Sequence, residues 1–368
     1  MTGGKIYPME FPRFKKWYGK HEGHVSTVAL IGGFILDNLT LRRVDLWAEN
    51  IYIIILLVVT AFCIGALNIL ERKRLPEEVP GRAHFWFLVI IQFALGGLFS
   101  TFFVFYSRSS NFAAAWPFLL LLAAAMIGNE VLKKHYLRLS FQISVFFIAI
   151  YAFAIFAIPL VLRQIGPWMF VLSTLASLII IFIFLVLLRF TTGEQFNESK
   201  KILSWSIGGI ATVLCALYFT NLIPPIPLSL QDVGAYHMIT KVQPGKYSVK
   251  GEQTSVFDYF KSYQVFHSAG GPVYIYSAIF SPADLDTNVI HHWQYYDESL
   301  KKWQDYGKIQ LSIVGGRDGG FRTYSTVFNP RAGKWRVDVE TTRGQVIGRI
   351  KFKVEKTAVE PALVSEVK

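Results

Sequence analysis

Asn221-Leu222-Ile223-Pro224-Pro225-Ile226-Pro227-Leu228 divides this chain into two physical regimes. Prolines this dense cannot extend a helix, and each pushes the residue before it toward extended geometry. Long apolar runs lie upstream, and downstream the hydrophobic pattern switches to period two. The junction predicts a mixed membrane protein. Its N-terminal part is an all-α bundle of about seven transmembrane helices, and its C-terminal part an all-β antiparallel sandwich with an Ig-like layout. The boundaries are a basic tail at 1–24, helices over 25–223, a proline-rich linker at 224–235, the sandwich at 236–356 and a disordered tail at 357–368.

Upstream of the junction, runs at about 50–70, 84–106, 112–132, 140–162, 166–189 and 203–223 each approach the ~20 apolar residues that cross about 30 Å of hydrocarbon. A seventh run, Val25 to Leu41, is short and broken by Gly32-Gly33 and Asp37-Asn38. A mean hydropathy of +0.38 suits such a polytopic chain. The loops at 71–82, 133–138 and 189–201 are basic, whereas the alternating ones carry only Arg108 and Arg163. The positive-inside rule places the basic set in the cytoplasm, so the last helix runs outward and delivers the sandwich to the far side. Counting 25–41 as a span keeps the tail with Lys5, Arg13, Lys15, Lys16 and Lys20 inside as well.

The net charge of +12 has the same origin. Residues 1–230 hold 19 Lys+Arg against 11 Asp+Glu, which points to orientation and anionic lipid rather than nucleic acid. Both cysteines, Cys63 and Cys215, fall in apolar runs. The downstream half therefore has no disulfide framework, thiol nucleophile or cysteine metal site. The first residues show no cleavable signal pattern.

Downstream, segments beginning at Val273, Val289, Ile309, Phe321, Trp335 and Val346 alternate apolar and polar residues between Gly-, Pro- and Asp-bearing turns. The stretch 236–267 predicts a strand or two and a short helix near Phe257-Asp258-Tyr259-Phe260. Within this half, His291-x-Trp293, Phe321-Arg322-Thr323-Tyr324-Ser325, Gly333-Lys334-Trp335-Arg336-Val337, Gly344 and Phe352-x-Val354 form a spaced set. It resembles domain-of-unknown-function family 2914, mainly over 280–355, with Phe321 standing where that family commonly has tryptophan or tyrosine. The resemblance implies a small β-sandwich-like domain, often carried by bacterial envelope proteins, some with a multi-span N-terminal region. The family has no agreed activity, so no catalytic residue carries over.

Candidate chemistry is sparse. His291 and His292 are adjacent on a strand and point to opposite faces, so they cannot share a metal. His291 reads as a packed residue and His292 as a surface one. Gly315-Gly316-Arg317-Asp318-Gly319-Gly320 precedes a strand rather than a helix, so it reads as a hairpin connection and not a phosphate loop. Arg322, Arg336, Arg349, Lys351 and Lys353 offer an anion-binding face, against the plainer reading of a solvated surface that discourages edge pairing. Asp37, Asn38 and Glu130 are polar or charged inside membrane runs, where such groups are costly. Interhelical hydrogen bonding is their plain role, and a transport path the rival.

The closing hairpin is legible in detail. A two-residue turn at Arg343-Gly344 sets Trp335 opposite Phe352 in the core, Asp338 opposite Arg349 outside, and Arg336 opposite Lys351. That last like-charge pair calls for an acid reaching across or an anionic partner. The function that follows is binding. The sandwich recognises an envelope protein or anionic ligand through Arg322, Arg336, Arg349, Lys351 and His292, and the helices in the lipid bilayer anchor or relay. The expected location is the bacterial cytoplasmic membrane with the sandwich periplasmic or extracellular. A transporter or channel built on the bundle, and a membrane enzyme, are the alternatives. No cofactor or metal set and no nucleophile–base pair is recognisable.

Overall fold

Long apolar stretches form helices because a helix satisfies its backbone groups within one segment and without water, a bias strong enough to carry Pro117 and Pro159 inside two of them. The computed structural model describes residues 32–41, 45–72, 78–109, 112–131, 139–192, 194–253, 263–282, 285, 287–315, 319–359 and 361–368. Among the described residues its N-terminal region has seven helices: α1 (32–40), α2 (Trp47–Arg72), α3 (Glu78–Arg108), α4 (Phe112–Val131), α5 (Leu139–Leu162), α6 (Pro167–Thr192) and α7 (Glu194–Phe219). Five are long and apolar enough to cross a membrane, over Trp47–Leu70, Trp86–Arg108, Leu139–Leu162, Pro167–Phe190 and Ser199–Phe219. The apolar stretch of α4 is shorter, Ala115–Asn129. Residues 25–31 of the first expected span lie outside the described residues, as does the expected short helix at 257–260.

The central helix is α5, with 61% of its span buried against 22% for α6 and α7. Around it Tyr106, Phe102 and Phe105 of α3 pack edge-on against Phe156, and the Tyr106 hydroxyl donates to Ala152 O at 2.8 Å. Two polar contacts tie helices together in the other half of the bundle. Asn68 Nδ2 donates to Gln142 Oε1 at 3.3 Å, and Asn129 Nδ2 to Gln92 O at 2.8 Å. They do the plain interhelical work expected of such side chains.

Eleven strands follow among the described residues: β1 (Ser229–Tyr236), β2 (Met238–Gln243), β3 (Lys246–Glu252), β4 (Gln264–Ser268), β5 (Val273–Phe280), β6 (Thr287–Asp297), β7 (Lys302–Ile313), β8 (Phe321–Val327), β9 (Gly333–Thr341), β10 (Val346–Lys356) and β11 (Leu363–Val367). In place of a two-sheet Ig-like sandwich they form three sheets, ordered β1-β5-β8, β4-β10-β9-β6-β7 and β11-β3-β2. Nor is the arrangement wholly antiparallel, since β4 runs parallel to β10. The β1-β5-β8 sheet is the middle layer. Val273 and Ile275 on one face of β5 meet Trp293, Trp335 and Phe352 of the five-stranded sheet. Tyr276 and Ala278 on its other face meet Ile239 and Val249 of the small sheet. Burial on both faces explains the almost uninterrupted apolar run of β5, Val-Tyr-Ile-Tyr-Ser-Ala-Ile-Phe.

Two expected boundaries are corrected. Residues 357–368 are not a disordered tail, because β11 pairs with β3 from Leu363↔Glu252 to Val367↔Ser248. The linker at 224–235 is a packed joint from which β1 departs at Ser229. Ile223 and Ile226 are buried in the helical core, and Leu228 in the β core beside Ile279 and Val339. Asn221 ends α7 with φ 60° and donates from Nδ2 to Arg343 O at 2.9 Å. Gln345 Nε2 donates to Ile223 O at 3.1 Å, and the Arg343 guanidinium lies 4.4 Å from the Tyr218 ring centre. Arg343 and Gln345 belong to the turn between β9 and β10, so the closing hairpin is fastened directly to the end of α7.

The glycine-rich segment after β7 crosses between sheets and is not a hairpin connection, since β7 and β8 lie in different sheets. Its ends demand glycine. A Cβ on Gly315 would fall 1.9 Å from Pro282 O, and Gly320 has φ +79° with a Cβ 2.9 Å from the Ile279 backbone.

Candidate binding face

The register of β9 and β10 places Trp335 opposite Phe352, Arg336 opposite Lys351 and Asp338 opposite Arg349, as the alternation predicts. The turn differs. Thr341 N donates to Gln345 O at 2.9 Å, enclosing residues 342–344 with Gly344 at φ +84°. A bulge between Val346 and Gly348 then restores the register and turns Ile347 inward, 2% exposed, where alternation had it outward.

Four of the five expected ligand-binding residues share the outer face of the five-stranded sheet: His292 of β6, Arg336 of β9, and Arg349 and Lys351 of β10. Arg322 does not. It lies on β8 and donates from Nη1 to Gly245 O at 3.1 Å, bridging the middle layer to the β2–β3 turn. Arg349 grips Asp338 with two nitrogens, Nη2 at 2.7 Å from Oδ2. Asp338 is 4% exposed, so this is a largely desolvated, two-pronged ion pair. His292 stands between two acids, its Nδ1 3.2 Å from Glu340 and its Nε2 on Asp305. Burial raises the Glu340 carboxyl above its ordinary range, with His292 and Lys308 pulling the other way.

Arg336 and Lys351 are different. Among the described residues neither has a carboxylate within ion-pair reach. Arg336 donates from Nε to Gln294 Oε1, and its guanidinium lies 4.5 Å from the Trp303 ring centre. Lys351 Nζ lies 5.9 Å from the Tyr263 ring. Burial, then the nearby Arg349, push the Arg336 pKa down. The result is two adjacent cations flanked by aromatic rings. Trp303, Tyr263 and Gln294 went unnoticed in the sequence, although Trp303 follows from pairing Tyr296 across the β6–β7 hairpin.

Two of the other described histidines share one acid. His237 Nε2 and His267 Nδ1 converge on Glu252, at 3.0 and 2.6 Å, but His291 and His292 lie elsewhere. Burial would raise the Glu252 carboxyl, yet the His267 and His237 hydrogen bonds outweigh it and hold it low. No group of three metal-ligating side chains occurs among the described residues. His291 is fully buried between Ser277 Oγ at 2.9 Å and Ser325 Oγ at 2.7 Å, and Trp293 Nε1 also donates to Ser325. Burial lowers its pKa to about 4, so it is a neutral tie between two sheets rather than a base. A separate cleft of about 450 Å³ opens between β1, β3 and β11, where Lys368 pairs with Asp232 at 2.5 Å.

In the bundle, Asn38 accepts from Arg108 Nη2 through Oδ1 at 2.9 Å and through its carbonyl at 2.6 Å, while Leu41 O accepts from Nη1 at 2.7 Å. Arg108 therefore caps the last turn of α1, where free carbonyls and the helix dipole favour a cation. Asp37 is half-buried one turn earlier. Glu130 sits at the end of α4, and its side chain lies outside the described residues.

Residues 286–354 match the family described as "Protein of unknown function (DUF2914)". The DUF2914 segment runs from β6 into β10. It holds Trp293, Trp335 and Phe352 of the core and Arg336, Lys351, Asp338 and Arg349 of the outer face, whereas β1 to β5, β11 and the helices lie outside it. No curated protein matches the chain. Among solved structures, Listeria innocua β-glucosidase in complex with isofagomine is 10% identical with a TM-score of 0.20, covering 35% of this chain and 17% of that one. Pseudomonas fluorescens alkylpurine DNA glycosylase AlkC bound to DNA containing an abasic site analog is 11% identical with a TM-score of 0.21, covering 83% of this chain and 99% of that one. The chain spans about a sixth of the β-glucosidase's length.

Proposed function

We propose that this protein is a membrane-anchored binding module whose outer sheet face takes an anionic ligand or an acidic patch of an envelope protein. The observation that carries the reading is the Arg336–Lys351 pair. Two like charges opposite one another on a sheet repel, and among the described residues these two have aromatic rings and an amide in contact and no carboxylate within ion-pair reach, Asp338 acting on Arg336 from farther off. An incoming carboxylate or phosphate would relieve that repulsion and gain a two-pronged contact from arginine. The neighbouring Arg349 is already committed to Asp338. It shapes the site, while Arg336 and Lys351 hold the partner.

The basic loops at 71–82, 133–138 and 189–201 support a cytoplasmic placement for that side of the bundle. The β domain then lies beyond the bacterial cytoplasmic membrane, in periplasmic or extracellular space, with the N-terminus inside. The test is co-purification of the full chain from native membranes, quantified by mass spectrometry, beside the Arg336→Ala/Lys351→Ala variant. Loss of a specific set of acidic partners or anionic molecules from the variant is the expected result. An unchanged set would refute the assignment.

A further inference from the structure

Hydroxyl groups inside membrane helices ordinarily donate back to the carbonyl three or four residues earlier. Thr60, Ser173 and Ser177, all buried in this bundle, do so at 2.7, 2.7 and 2.8 Å. Ser100 and Thr101 on α3 do not. They are 4% and 0% exposed, and neither hydroxyl has a hydrogen-bond partner among the described residues. Two adjacent orphaned hydroxyls in an apolar bundle are costly unless something occupies them.

One acid stands beside the first of them. The Ser100 hydroxyl faces the Asp37 carboxylate of α1, outside ordinary hydrogen-bond geometry. Asp37 also acts electrostatically on the Tyr52 phenol of α2. That phenol oxygen lies against α3 where Gly97 leaves room: a Cβ at Gly97 would come within 3.2 Å of it. Gly97 precedes Ser100 and Thr101 by three and four residues, so α1, α2 and α3 bring a carboxylate and three hydroxyls to within about one turn of α3. Among the described residues no cation lies within ion-pair reach of Asp37. Arg108, the basic residue at the end of α3, is engaged with the Asn38 and Leu41 carbonyls.

We propose that Asp37, Tyr52, Ser100 and Thr101 form a binding site for a monovalent cation of sodium size. Hard cations take oxygen ligands, and hydroxyl oxygens with free lone pairs serve alongside a carboxylate. Charge selects the valence. One carboxylate and one monovalent ion leave the site neutral, whereas a divalent ion would leave a net positive charge in a low-dielectric bundle. The site is independent of the outer sheet face and gives the helical region a ligand of its own.

Thermal unfolding of the full chain in detergent, in NaCl or in choline chloride at equal ionic strength, tests the site. A ligand that binds only the folded state stabilises it by mass action, so sodium well above its half-saturating concentration should raise the midpoint by about 3 °C or more. Asp37→Asn should abolish the difference. Ser100→Ala/Thr101→Val, which removes the hydroxyls with little change of volume, should abolish it while preserving the fold in choline. Equal midpoints in the two salts, a sodium response that survives in the hydroxyl variant, or a larger response to calcium than to sodium would each overturn the proposal.

Discussion

Removing the Asp338 carboxylate should cost far more than its place on an outer face implies. Asp338 is 4% exposed, and Arg349 clasps it from the facing strand. Breaking one partner of a buried pair costs about 3–5 kcal/mol, because the other is left charged and dry. The Arg349 side chain keeps 19% exposure, so water recovers part of that penalty and about 2–4 kcal/mol is expected for Asp338→Ala. Loss of the acid also leaves Arg349 unpaired beside Arg336, on which Asp338 acts only from beyond ion-pair reach. The double variant Asp338→Leu/Arg349→Met should recover to within about 1 kcal/mol of the parent, since two well-packed apolar groups replace two desolvated ions. Hydrogen exchange of the β9 and β10 amides in the full chain reads these differences where they arise and avoids assuming that both regions unfold together. If each single variant costs under about 0.5 kcal/mol, or the double variant is no better than the worse single, the pair is an ordinary solvated contact.

Three other outcomes are expected. His291 titrates at about 4 when folded against 6.5 unfolded, so between these pH values only the unfolded chain binds the proton. Stability should fall by up to about 3 kcal/mol as pH drops through that window, and His291→Asn should flatten the slope in urea titrations. Trp335→Ala should destabilise the β domain by about 3–5 kcal/mol through the cavity left among Trp293, Tyr306 and Phe352, measured by the same exchange. A reporter active only outside the cytoplasm, joined after Lys368, should be on, and silence there with activity of a cytoplasmic reporter would reverse the proposed orientation.

The sequence displays the membrane helices and the β9–β10 register because both rest on local periodicity with few exceptions. Trp335, Val337 and Val339 face Ile350 and Phe352 without ambiguity. Alternation counted back from Phe352, Ile350 and Gly348 turns Val346 inward and Ile347 outward, and because both are apolar nothing local in the sequence signals the bulge that reverses them. The β4–β10 pairing joins residues almost ninety positions apart and leaves no local trace. For the same reason the third sheet was invisible: β11 is short and exposed, and its long-range ladder with β3 orders it. Arg322 alternates just as Arg336 does, yet its face is covered by the β2–β3 turn, a fact of layer order that no period of two contains. The orphaned hydroxyls of Ser100 and Thr101 are likewise a matter of what three helices bring together.

The proline stretch settles how the two regions bear on one another. A free linker would let the sheet face sample many orientations, and a partner bound there would exert little on the helices. Here Ile223 and Ile226 are buried with the helices and Leu228 with the sheets, three large side chains over six residues. Swinging the β domain away would expose them at about 1.5–3 kcal/mol each, so at most about 5–9 kcal/mol opposes a pivot. It would also break the Asn221–Arg343 and Gln345–Ile223 hydrogen bonds. From Arg336 to Arg343 the chain is seven residues of strand and turn, at most about 23 Å at 3.3 Å per residue. A load applied at the outer face therefore reaches the end of α7 through one continuous hairpin. Such a joint suits a stiff mount that holds the proposed binding face at a fixed attitude to the helices. A relay would need a second packing of these same three side chains.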